Sequence, residues 1–75
     1  MVETGRTGKP IWAGWRVRDD GSVEVAATYD QGGGSVQREF SFANLAEAVE
    51  VFGPGFGDVV TRATEAGSNS GRWRP

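Results

Sequence analysis

The chain has no cysteine and no histidine among its 75 residues. Without cysteine there is no disulfide scaffold, no thiolate nucleophile and no sulfur-ligated metal. Without histidine the usual general base and the commonest zinc ligand are gone. Long apolar runs are missing too; none approaches the roughly 20 residues that cross a bilayer as a helix. No charged-then-apolar leader opens the sequence, so the cytoplasm is the expected location. Catalysis would fall to acids and hydroxyls such as Glu24 with Thr28, or Asp58 with Thr61, none with a base of the usual kinds beside it. The sequence therefore predicts a protein that is not an enzyme and takes no cofactor and no metal.

What is present is ordinary for a small globular chain: 37% apolar and 24% charged residues. Twelve glycines and three prolines point to many turns. At this length the core is near the lower limit for folding alone, which favours a stabilising partner or self-association. The net charge of −2 hides a segregation. Residues 1–18 sum to +3, residues 19–66 to −7 and residues 67–75 to +2. Basic ends around an acidic middle can mark a binding surface, or can cancel within the fold or across an oligomer.

Residues 1–9, with Gly5, Gly8, Arg6 and Lys9, read as a flexible basic arm. From Ile11 to Arg18 the pattern alternates: Ile11, Ala13, Trp15 and Val17 share one face, and Trp12, Gly14, Arg16 and Arg18 the other. That is a half-buried strand. Ser22 to Tyr29 alternates again after the turn signal Asp19-Asp20-Gly21. A three-residue loop pairs Val17 with Val23, Trp15 with Val25, Ala13 with Ala27 and Arg16 with Glu24. A one-residue slip would mix the faces. Glycine at the third loop position suits the left-handed residue of a bulged hairpin. After Gly32-Gly33-Gly34, a third strand from Val36 to Phe40 or Phe42 pairs Tyr29 with Val36, Val25 with Phe40 and Val23 with Phe42. This register also sets Arg38 on the apolar face opposite Ala27.

Two helices are expected next. Either Ser41 caps the first, with Phe40 and Leu45 as a hydrophobic staple, or Asn44 does, with Glu47 completing a capping box. Leu45, Val49 and Phe52 recur at helical spacing. Gly53-Pro54 stops this helix, and the run to Gly57 makes a bend. Asp58 then caps a short helix over residues 59–66, with Val60 and Ala63 inward and Phe56 anchoring its entry. The resulting fold class is α+β: a three-stranded antiparallel β-meander with two short C-terminal helices packed on one face (βββαα). Residues 10–67 form a single compact domain, and residues 68–75 a flexible basic tail.

Two clusters carry the binding chemistry. Trp12, Arg16 and Arg18 lie on the face assigned to solvent, with Gly14 leaving a gap between them. Arg72, Trp73 and Arg74 repeat the pattern in the tail. Should the tail lie beside the first strand, the six would form one basic aromatic patch. Tryptophan and arginine are the usual anchors of protein interfaces, and the same pair can stack bases and hold phosphates of a single strand. Gly53, Gly55 and Gly57 do not make a phosphate loop, since a helix precedes them and Pro54 removes an amide donor. Asp19, Asp20 and Asp30 lack the spacing of a calcium loop. The expected function is a non-catalytic interaction or regulatory module whose partner is another protein or a second copy of itself, with no membrane. Single-stranded DNA or RNA binding and a self-assembling structural subunit are the alternatives.

Overall fold

The structure, a computed structural model, describes residues 10–75, so the basic arm expected over residues 1–9 lies outside the described residues. Strands β1 (Trp12–Val17), β2 (Val23–Asp30) and β3 (Ser35–Phe42) precede helices α1 (Leu45–Phe52) and α2 (Pro54–Glu65). A fourth strand, β4 (Ser70–Trp73), closes the described chain. The sheet order is β3-β2-β1-β4, antiparallel throughout. The expected α+β meander with two helices on one face is therefore present, extended by one strand.

The registers follow from side-chain alternation. Val17 pairs with Val23, Trp15 with Val25 and Ala13 with Ala27. Across the other flank of β2, Val23 pairs with Phe42, Val25 with Phe40 and Tyr29 with Val36. The Arg18 amide donates to the Ser22 carbonyl at 2.8 Å, closing the three-residue loop, and Gly21 takes a φ of +89° that only glycine holds without strain. The Asp20 carboxylate accepts from the Ser22 amide at 2.9 Å and its hydroxyl at 2.7 Å, which hold its pKa below the usual carboxylate value. That support for the turn is in place above the ordinary aspartate pKa and is lost as pH falls through the lowered one.

Asn44 is the helix cap: its Oδ1 accepts from the Glu47 amide at 3.0 Å, and Glu47 Oε1 accepts from the Ala43 amide at 3.1 Å. The expected bend with an Asp58 cap does not form. Instead α2 begins directly at Pro54, whose fixed φ suits the first helical turn. Gly57 thereby falls inside α2, where a Cβ would stand 2.7 Å from Val49 Cγ2. Its missing side chain lets the two helices close on each other.

The core lies between the sheet and the helices. Trp15, Val23, Val25, Phe52, Phe56, Val60 and Trp73 are buried in it, with Ala13, Ala27 and Ala48 between them. Ile11, expected in this core, precedes β1 and is 49% exposed. Arg38 does sit opposite Ala27, and stays exposed on the edge strand.

The flexible tail expected over residues 68–75 is corrected by β4. Gly67, with φ +92°, turns the chain out of α2, and the Val17 amide donates to the Asn69 carbonyl at 2.7 Å. Trp73 then pairs with Ala13 and is only 6% exposed. Its ring meets Phe56 edge-on at 5.2 Å and Phe52 at 5.9 Å between centroids. This non-local burial outweighs a local sequence that is polar and glycine-containing. Gly71 is necessary to it, because a Cβ there would stand 2.9 Å from the Trp15 ring. An indole packed in the core cannot bend away, so Gly71→Ala is expected to cost about 1–3 kcal/mol of stability. Urea denaturation followed by circular dichroism reads this; an unchanged midpoint would mean β4 does not press on Trp15.

Candidate functional site: the open sheet face

Both helices pack on one side of the sheet, so the other side has no layer over it among the described residues. Pairing fixes what this face presents. Arg72, Gly14, Ala26 and Glu39 form one row across the four strands. Ser70, Arg16, Glu24 and Ser41 form the next. Trp12, Thr28 and Gln37 form the third. Each residue is here because strand alternation sends it opposite to its buried neighbour.

At the centre the face is hollow. Gly14 has no side chain and Ala26 only a methyl, and around them Arg16, Glu24, Ser70 and Arg72 border an open depression of ≈ 480 Å³. The Trp12 ring, half-buried, leans over Gly14, its nearest atom 3.7 Å from where a Cβ would be. The Arg72 guanidinium carbon stands 5.4 Å from the Trp12 ring centroid, within cation–π range. The ring thus holds Arg72 in place at the rim instead of leaving it to wave in solvent.

Of the six residues the sequence singled out, the fold brings Trp12, Arg16 and Arg72 together. Arg18, just past the end of β1, is exposed and forms an ion pair with Glu24. It takes the acid that cross-strand pairing had assigned to Arg16. Arg74 follows β4 and is exposed, and alternation sets it on the same side as Arg72. Trp73 departs from the expected patch: alternation turns it to the opposite side, where its ring is buried in the core. Glu39 and Ser70 are the residues that sequence reasoning missed. The β2–β3 register alone would have put Glu39 beside Ala26; finding Ser70 required β4.

Charge on the face is graded. Arg72 and Arg16 occupy the β4–β1 half, and Glu24 and Glu39 the β2–β3 half. Such a face can meet another surface by charge and shape, with an aromatic anchor at one corner. Among the described residues no cluster of acids is arranged to hold a metal ion, and no helix is long and apolar enough to cross a membrane. No family model matches the chain, and no curated protein or solved structure shows significant similarity to it.

Proposed function

We propose that this protein is a non-catalytic interaction module that docks another protein chain on its open sheet face. The observation that carries the reading is the bare side of the four-stranded sheet, with Arg16 and Arg72 bordering the Gly14–Ala26 hollow and the Trp12 ring beside Gly14 and Arg72. Tryptophan and arginine contribute the largest energies to protein interfaces, most of all beside a pocket floor that lets a partner approach closely. A chain with neither histidine nor cysteine has few groups for acid–base or nucleophilic work, which also favours binding over catalysis.

A second reading, single-stranded nucleic acid binding, draws on the stacked Trp12–Arg72 pair. Two features weigh against it. Arg72 already covers the ring, and Glu24 and Glu39 would face the phosphates on the same surface. Affinity for nucleic acid comes chiefly from cations that release counterions, and here Glu24 and Glu39 offset part of the arginine charge on the face.

The test is site-directed photo-crosslinking in cells. A photo-reactive phenylalanine analogue goes at Ser41, exposed at the rim of the open face, and in a second chain at Thr61, on the exposed side of α2. Protein adducts are expected from Ser41 and not from Thr61. Adducts from Thr61 alone, or none from either, would reject the docking face. Adducts to RNA or DNA at Ser41 would move the assignment to the second reading.

A further inference from the structure

We infer that the occupant of the open face is a second copy of this chain, packed face to face about a twofold axis. This rests on the docking reading and names its partner. The argument is the order of residues along each row. Place the axis parallel to the strands, midway between β1 and β2. Rotation then sets β4 over the partner's β3, and β1 over the partner's β2.

In the middle row Arg72 meets the second copy's Glu39, and Gly14 its Ala26; the same contacts recur on the other side of the axis. In the next row Arg16 meets the second copy's Glu24, and Ser70 its Ser41. In the third, Trp12 lies over the second copy's Thr28. Every row is complementary to its own reverse, which is what an isologous interface demands. Like charges never meet. The Glu24 carboxylate, already paired with Arg18, has a second oxygen for the incoming arginine.

The shape agrees. In the middle row the residues beside the axis are glycine and alanine, so the sheets can approach at the centre of the face, while Trp12 with Thr28 and Arg16 with Glu24 flank that point along the axis. Packed sheets cross at about 30°. Residues on the outer strands, about 7 Å from the axis at a strand spacing of ~4.8 Å, would then shift by roughly 4 Å, less than the reach of an arginine. Within one molecule Arg72 and Glu39 stand three strand spacings apart, about 14 Å, so their pairing is intermolecular. Four strands by about six residues give a footprint of roughly 400 Å² per copy. That is at the low end of specific interfaces, and the dimer is expected to have a Kd on the order of 10–100 µM. Nucleic acid and an unrelated acidic protein both leave Glu39 without a cation and bring none to the second oxygen of Glu24; a second copy supplies both.

The experiment is sedimentation velocity on the full chain across ~1–500 µM, at low salt and at 0.5 M salt. The wild type is expected to dimerise reversibly and to loosen at high salt, where charges are screened within about 4–5 Å. R72E and E39R should each weaken dimerisation by about tenfold or more, since each reversal acts at two symmetric places. R72E with E39R in one chain should restore it. The decisive step mixes two double variants, R16E with R72E and E24R with E39R: each alone stays monomeric, and the mixture forms a heterodimer. Circular dichroism reports that each variant is folded, and R72Q and E39Q take the place of any that is not.

A wild type monomeric to 500 µM, or a reversed pair no tighter than its single variants, overturns the inference. If that monomer still gives protein adducts at Ser41, the docking reading stands without it. If it gives none, both fall together.

Discussion

Trp73→Ala is expected to lower the unfolding free energy by about 3–5 kcal/mol, although it alters the third residue from the C-terminus of the sequence. The residue is nearly enclosed, and its indole packs edge-on against Phe52 and Phe56. Truncation would leave a cavity bordered by both helices and β1, which the rigid rings cannot collapse to fill. Small domains hold about 5–15 kcal/mol in all, and one this short belongs near the bottom of that range. A large share of the variant should therefore be unfolded without denaturant. Trp73→Phe keeps the aromatic edge and should remain folded with a smaller loss. Urea titration with far-UV circular dichroism measures both. A loss under about 1 kcal/mol for the alanine variant would mean that β4 is not part of the cooperative core.

Phe56→Ala should be comparably damaging, at about 3–5 kcal/mol. Phe56 is fully buried and stands where α2 meets β4, with Phe52 at 5.3 Å and Trp73 at 5.2 Å between centroids. Because the two rings touch, their losses should not add. A cycle built from Phe56→Leu, Trp73→Leu and the double variant keeps enough stability to measure. It should return a coupling of about 0.5–1.5 kcal/mol from the edge-to-face contact. Additive losses would place the two rings out of contact and rule out the packing of α2 against β4.

The three-strand register is legible because a one-residue slip would set apolar residues against polar ones. The Asp19-Asp20-Gly21 turn signal then selects, among the registers that keep the faces, the three-residue loop that pairs Val17 with Val23, Trp15 with Val25 and Ala13 with Ala27, as observed. Asn44 with Glu47 was readable for a similar reason, since the cap is written in adjacent residues. The reading failed where the determinant is distant. Nothing local in Ser70-Gly71-Arg72-Trp73 suggests a strand. It forms because Trp73 and the Phe52–Phe56 pair complete each other, and because Gly71 can lie against Trp15. The start of α2 is hidden for the same reason: Gly57 has the look of a bend in sequence, and only the nearness of Val49 in space makes it a helix-packing glycine. Half of the candidate site inherited the error. Trp12 and Arg16 follow from the alternation of β1, whereas Arg72 joins them, and Trp73 leaves them, only once β4 is in place.

The placement of β4 has a consequence for biosynthesis. It pairs with β1, more than fifty residues earlier in the chain, so the sheet order cannot be completed by neighbours as they emerge. A ribosome-bound chain that has released β1 to α2 still hides residues 70–73 in the exit tunnel. Until they clear it, Ala13 and Trp15 lie on a bare sheet edge, and Phe52 and Phe56 lack the ring that covers them. Such a nascent chain has both hazards of an incomplete β-fold, an unpaired edge and uncovered aromatic surface. Cooperative folding is thereby deferred until after residue 73 is released, and a chain stalled before that point is a substrate for chaperones rather than a folded domain.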